Sequence, residues 1–578
     1  VVGDGPLWEG RVASTGSALA DLVLQPVEPV RFDDDFMRGE DQEGPWEVVS
    51  GEWATKAEGD PKMGVNPFNY QGQARGVGLA TAGWPFWDEY EFSVSARPTQ
   101  AGTVGQALYY QDAANHLLFR ARVSDTPNDA AGGLELVRVK GGQERIVAQG
   151  DGCLVTGHWY RLTARVLGGT VSAALDGQWV LWADENSFPG GRVALYLKDC
   201  RSEFDDVEVR AATGEEAPAL VELDGSVPPF AGTLDRDTWA GTALQWRPVR
   251  EEPGLFWRRG RFHGDFELSF QCNFGEARAA DPSLTLLLTS ELEAPGDGFA
   301  IAVAPRRGER ECSVELTGRG RRRRTTVTAS ASPVVTVRRT GGALTALLDG
   351  RPLPDIPADE AAGELSCLGF RAQGFRPRLS GLELRAGNVL DDCFDRAPTP
   401  WWVSSGEWAI SSRWPCTAEW SWFGGRSKEV AAIWHKRRFE GDIIVDSHIG
   451  PWEIDHGDGT PREICRAFNL VLCGDGEDAN SGYSFVLGAD EAGSGATLSR
   501  AGRVVARNDE YRIYSDAHNQ WLNIRAEKRG RQVGIWIADQ PILVWEDPEP
   551  LPSGRVGIWT RDNGIMIPRV TIYYQAMP

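Results

Sequence analysis

An all-β chain of three tandem β-sandwich domains is what this sequence predicts, and three observations predict it. Its 578 residues and 63.3 kDa exceed what one ordinary core sustains, so about two to four domains are expected. Its 67 Gly, 34 Pro and 23 Trp, beside 4 Met and few runs of Ala, Leu, Glu and Lys, favour strands and turns over helices. One order of signals also returns three times, at a spacing of roughly 180 residues that is far longer than a solenoid unit. Hydrophobic residues at 41% and charged residues at 25% give every domain material for a packed core.

The elements follow in order. The first segment opens Phe32-Asp33-Asp34-Asp35-Phe36-Met37-Arg38, then Pro45-Trp46, then Ser50-Gly51-Glu52-Trp53-Ala54. The third opens Leu390-Asp391-Asp392-Cys393-Phe394-Asp395-Arg396, then Pro400-Trp401, then Ser405-Gly406-Glu407-Trp408-Ala409. Next, Phe262-His263-Gly264-Asp265 of the second segment matches Phe439-Glu440-Gly441-Asp442 of the third, with Asp88-Glu89 a looser counterpart in the first. A hairpin is expected at Asp176-Gly177, again at Asp349-Gly350, and at Ala538-Asp539, because Asp-Gly between apolar runs supplies the positive φ of a tight turn. Each segment closes with a Gly-led strand, Gly191 to Tyr196, Gly363 to Phe370 and Gly554 to Trp559. A last strand follows each, Phe204 to Val209, Leu379 to Leu384 and Pro568 to Tyr573, with the alternation of half-buried strands. Cuts near 212, in a polar linker, and near 388, in a tighter junction, give domains 27–212, 213–388 and 389–578. Residues 1–26 are an N-terminal extension, read as a clasp strand on this chain; a strand lent to a neighbour or a remnant of another domain are the alternatives.

The order Asp-Asp-x-Phe, Gly-Glu-Trp, Phe-x-Gly-Asp, a Trp-led strand at Trp159-Tyr160 and at Trp521-Leu522, and Leu-Asp-Gly resembles the concanavalin A-like lectin/glucanase superfamily. It is most similar to its laminin-G-like and DUF1080, family-16-glycoside-hydrolase-like, branches. The resemblance covers nearly all of the chain after residue 26. It implies three jelly-roll sandwiches, each of two curved antiparallel sheets, with ligands held on the concave sheet or its rim loops; fold alone does not license an activity.

The net charge of −22 argues against nucleic acid as a partner, because neutralising phosphates needs a basic face. No apolar run is long enough for a transmembrane helix. Nine Cys occur without zinc-site spacing. Cys153 with Cys200, Cys393 with Cys416, and Cys465 with Cys473 are candidate disulfides, each pair within one expected domain. Trp-rich β-domains with few Lys and several Cys suit an oxidising compartment, so an extracellular, cell-surface or periplasmic protein is expected, its signal peptide removed.

Several constellations carry candidate chemistry. Glu453, Asp455 and Asp458 resemble the Glu-x-Asp-x-x-Glu strand of family 16 glycosidases, which would make them nucleophile, helper and acid/base. Asp stands where that motif ends in Glu, and the following His456-Gly457-Asp458-Gly459 is turn-rich. Asp455, His456 and Asp458, with the oxygen-rich turn at Asp475 and Asp478, form a candidate Ca²⁺ site; two solvated acidic loops are the alternative. Trp414, Trp420, Trp422 and Trp452, with Phe68 and Tyr70 in the first segment, are candidate sugar platforms, since flat rings stack on C–H faces; packing at the sandwich end is the alternative. Arg319, Arg321, Arg322, Arg323 and Arg324 are expected at a hairpin tip, where guanidinium forks would meet an acidic domain, a second subunit or an anionic glycan. No Gly-x-Ser-x-Gly, phosphate loop or His-Glu-x-x-His is present.

The expected function is therefore non-catalytic: glycan binding, adhesion or extracellular assembly, with no required cofactor and Ca²⁺ the one ion the donors suit. Alternatives are a carbohydrate-active enzyme, hydrolytic or lyase-like at a 3-keto-glycoside, acting through the third domain, and a purely structural subunit.

Overall fold

The computed structural model describes every residue except 1–7, 16–17, 27–30, 40–41, 43, 58–67, 127–130, 213–219, 224–229, 232–238, 243–244, 249–253, 259, 275–281, 291–297, 307–309, 319–320, 355–364, 375–377, 412–421, 453–466, 489–493, 513–521 and 539. Every regular element among the described residues is a β-strand. Two compact units result. One holds Val1–Glu216 with Cys393–Gly425 and Ile433–Lys436; the other holds Ala217–Asp392, Arg426–Ala432 and Arg437–Pro578. The opening of the third segment thus belongs with the first unit.

In the first unit two antiparallel sheets enclose one core. Sheet I runs in the order Gln143–Gly150, Leu134–Lys140, Asn115–Ser124, Gly102–Asp112, Arg192–Lys198, Val77–Ala82, Glu47–Ser50. Sheet II runs Gln178–Asp184, Thr170–Leu175, Tyr160–Leu167, Tyr90–Pro98, Arg201–Ala211, Phe68–Gln73, Glu52–Ala57. Val104, Leu108, Phe119 and Leu195 from the first meet Phe92, Val94, Leu162 and Val209 from the second, all fully buried. Trp8–Thr15 and Ala18–Pro26 pair as a separate antiparallel hairpin.

The strand order of sheet I returns twice in the second unit. It reads Arg321–Thr328, Glu311–Gly318, Gly298–Pro305, Ser283–Thr289, Cys367–Gln373 in one place, and Arg503–Arg512, Ser494–Arg500, Tyr483–Leu487, Phe468–Gly474, Ser553–Ala576 in the other. The last strands expected from alternation lie inside Arg201–Ala211, Arg378–Ala386 and Ser553–Ala576.

The recurring residues turn out to hold turns and edges. Asp176 and Gly177 take φ of 48° and 74°, and Asp349 and Gly350 take 49° and 73°, the left-handed pair a two-residue hairpin requires. Trp53 Nε1 donates to Ser50 O at 2.8 Å, and Trp408 Nε1 to Ser405 O at 2.9 Å, each indole folding back over its own Gly-Glu turn. The acid after the Phe-x-Gly signal accepts a backbone N–H from the next hairpin's glycine: Gly341 to Asp265 at 2.9 Å, Gly530 to Asp442 at 2.7 Å, and Gly168 to Glu89 at 3.1 Å. Asp34 of the opening signal accepts from Phe36 N, from both Arg38 terminal nitrogens and from Trp46 Nε1.

In the second unit the junction near 388 is packed rather than loose. Ala386 is fully buried, Asn388 Nδ2 donates to Gln575 O, and Tyr573 joins the core of the second segment with its ring edge-on to Phe262. The expected disulfide between Cys153 and Cys200 is not formed: Cys200 is a buried thiol whose Sγ donates to Gln100 O. Burial pushes that thiol up to about 12, so it stays protonated and inert. The other two candidate pairs each include a cysteine, Cys416 or Cys465, outside the described residues.

Candidate functional site

Strands with one face on a core and one in water should alternate, and Gly298–Pro305 and Glu311–Gly318 of the second segment do. The central strands of sheet I in the first unit do not: Asn115–Ser124, Leu134–Lys140 and Arg192–Lys198 are buried on both faces in their middle. The outward face holds its own apolar floor of Leu79, Ala107, Leu118, Val137, Val139 and Ala194 with Tyr110 and Tyr196.

Register decides which side chains share this floor. Tyr196 lies opposite Gly105, Gly105 opposite Arg120, Arg120 opposite Glu135, and Glu135 opposite Gln149. Gly105 leaves the tyrosine and the arginine with nothing tall between them. Arg120 is the hub: Nε donates to Glu135 Oε2 at 2.7 Å and Nη1 to Glu144 Oε2 at 2.9 Å. Burial opposes its charge, but the two carboxylates outweigh that and hold its pKa above the usual value. Tyr196 is 2% exposed; burial raises its pKa, and the Arg120 guanidinium, close enough to donate a hydrogen bond to its hydroxyl, offsets part of that rise. His116 stacks obliquely on Tyr110 with centroids 5.6 Å apart, and burial lowers its pKa so that the imidazole is neutral. Arg192 and Glu47, paired at 2.9 Å, stand at the rim.

Such a face offers an Arg fork and two carboxylates over an apolar floor into which Tyr110 and Tyr196 are themselves buried. Vicinal hydroxyls can accept from the guanidinium and donate to the carboxylates while C–H groups lie on the floor.

The corresponding face of the third segment has the same character. Trp559 lies opposite Asn469, and Asn469 opposite Val486, with Ser484 two residues away on the same face. Trp559 Nε1, Asn469 Nδ2 and Ser484 Oγ are all buried without partners. Trp559 and Tyr196 hold the same place in the Gly-Arg-Val closing signal. The second segment has Gly369 on this face instead, with the ring of Trp257 packed against it.

The residues singled out in the sequence are placed elsewhere. Glu453, Asp455, His456, Asp458, Trp414 and Trp420 lie outside the described residues, as does Arg319. Tyr70 is 6% exposed and stacked on Phe36 at 5.2 Å, so it is a core residue and not a rim platform. Phe68 and Trp422 are half-buried on strands; Trp452 is half-buried with the Arg426 guanidinium 5.2 Å above its ring. Asp475 accepts from Glu477 N, Asp478 N and Ser481 Oγ, and Asp478 from Asn480, so both carboxylates close an Asx-type turn. Among the described residues no group of three or more metal-donor side chains is brought together. Arg321 pairs with Gly318 at the turn end of the expected hairpin, and Arg322 to Arg324 run on from it along the edge strand Arg321–Thr328. A cavity of about 600 Å³ lies elsewhere in the first unit, lined by Asn69, His158, Trp159, Trp401, Trp408 and Phe423 among others.

No family model matches the chain, and no curated protein sequence matches it. Among solved structures it is similar to carbohydrate binding module CBM66 from Bacillus subtilis, 18% identical over 29% of this chain and 96% of that one, with a TM-score of 0.25. It is also similar to a Bacillus subtilis protein with a galectin-like fold, 16% identical over 32% and 96%, with a TM-score of 0.26. Domains LG4-5 of the mouse laminin alpha1 chain match at 12% identity over 54% and 86%, with a TM-score of 0.19.

Proposed function

We propose that the chain is an exported, non-catalytic carbohydrate-binding protein made of three sandwich copies, and that the outward face of sheet I in the first unit is a glycan site. The observation that carries this reading is the Arg120 guanidinium, shared between Glu135 and Glu144 and set beside the Tyr196 hydroxyl on an apolar floor. Arg120 with Glu144, which is 45% exposed, receives the hydroxyls of a sugar, while the buried Tyr110 and Tyr196 support the floor beneath them. Three copies would raise avidity for one polymer without strengthening any single site. Export rests on the Trp-rich β composition with few Lys and several Cys, which suits an oxidising compartment. A glycan array followed by calorimetry on the best ligand tests the site. Arg120→Ala should weaken binding by about tenfold or more, since it removes charge-assisted hydrogen bonds. A blank array, or an Arg120→Ala protein that is folded and binds like the parent, refutes the proposal.

A further inference from the structure

The second segment presents a different outward face. Register places Arg371, Thr285, Ala302, Glu315 and Arg324 in one row across five strands, and Gly369, Leu287, Ala300, Thr317 and Arg322 in the next. Between the outer arginines the face is low, because Thr285, Ala300 and Ala302 are short and half-buried. Four strand spacings separate Arg371 from Arg324, about 19 Å. Arg322 and Arg324 follow each other at i and i+2 on the edge strand, 70% and 71% exposed, and share the single carboxylate of Glu315 at 2.6 and 3.8 Å. Among the described residues Arg371 has no carboxylate partner. The trough therefore carries an excess of positive charge in a chain whose total is −22.

We propose that this trough binds an acidic polysaccharide, its carboxylate or sulfate groups taken by Arg322, Arg324 and Arg371 and its neutral sugar edges by the Thr285 and Thr317 hydroxyls. Two guanidiniums about 6.7 Å apart along a strand suit charges strung on a flexible polymer. A nucleic-acid duplex, with about one charge per 1.7 Å of its axis, asks for a broader basic surface than a face divided by Glu315. The inference goes beyond the glycan site at Arg120, uses none of its residues, and stands or falls separately from it.

The test uses the intact chain with polygalacturonate and, as the uncharged control, its fully methyl-esterified form. Binding to polygalacturonate is expected to fall linearly in log K against log salt, with none to the ester. Arg322→Gln with Arg324→Gln should lose about tenfold per guanidinium and flatten the salt slope. Equal binding of both polymers, no loss in the double variant, or duplex DNA bound as tightly as polygalacturonate overturns the proposal. So does a double variant that self-associates with polymer affinity intact, for then the arginines serve only to keep an exposed strand edge from pairing.

Discussion

Replacing Asp34 by Ala should unfold the first unit far more easily than a surface carboxylate would. Its side chain is 6% exposed and accepts four hydrogen bonds, at 2.9 Å from Phe36 N, 2.6 and 3.0 Å from Arg38, and 2.9 Å from Trp46 Nε1. Breaking a buried pair by removing one partner costs about 3–5 kcal/mol, because the other charge stays behind without its mate. Arg38 is 15% exposed, so water recovers part of that, and about 3 kcal/mol is expected. For a body of this size that lowers Tm by about 6–12 °C. The loss has a structural reach: Phe36 sits at φ 55° with its ring stacked on Tyr70, and Trp46 packs beside both. Urea melts followed by tryptophan fluorescence, with Arg38→Met completing a double-mutant cycle, measure both the total and the coupling. A destabilisation under 1 kcal/mol, or strict additivity of Asp34→Ala and Arg38→Met, would refute the view of this carboxylate as a hub.

Three further outcomes follow from single contacts. Tyr196→Phe deletes a buried hydroxyl beside the Arg120 guanidinium, so stability should change by no more than about 1 kcal/mol while glycan affinity falls, read by melts and calorimetry on one sample. His158 is stacked on Trp402 at 3.5 Å, and burial, then Lys436, pushes its pKa down to about 4. The unfolded chain therefore takes up the proton first as pH falls, so stability should drop between about pH 6.5 and 4, by about 1–2 kcal/mol once solvent screening of this half-buried ring is allowed for, and His158→Gln should flatten that slope in urea midpoints. An alanine methyl at Gly369 would overlap the ring of Trp257, which is 1% exposed; Gly369→Ala should cost about 1–3 kcal/mol, and Trp257→Leu in the same chain should recover part of it in thermal melts.

What could be seen in the sequence is what local chemistry fixes. Asp176-Gly177 and Asp349-Gly350 announce their turns because only a few residues tolerate both dihedrals, and Gly-Glu-Trp marks its turn because the indole bonds back three residues. The aromatic at Tyr70 misleads, since an apolar ring on a strand next to a loop reads alike whether it faces a rim or Phe36. The arginine run is legible in part: its hairpin is there, with Arg321 opposite Gly318, but Arg322 to Arg324 continue along a strand that is at a sheet edge among the described residues, where such charges are tolerated. The outward face was hidden for a deeper reason. His116, Leu118 and Arg120 alternate with Leu117, Phe119 and Ala121, so one face reads as core and the other as an ordinary mixed surface. Only cross-strand register brings Tyr196 to Arg120 and Arg120 to Glu135, and register is not a local property.

That division explains how one blueprint could serve different ligands. The residues that recur, from Asp34 and Trp53 to the hairpin-capping Glu89, Asp265 and Asp442, hold turns and edges and touch no outward face. The residues that differ sit on that face: Tyr196 with Arg120 in the first segment, Gly369 with Arg371 and Arg324 in the second, Trp559 with Asn469 in the third. A sheet tolerates such exchange because alternate positions belong to opposite faces, so outward side chains can change while the core keeps its packing. Transplanting Tyr and Arg onto the second face, at Gly369 and Ala300, would displace Trp257 before it built a site, so each face is tied to its own floor.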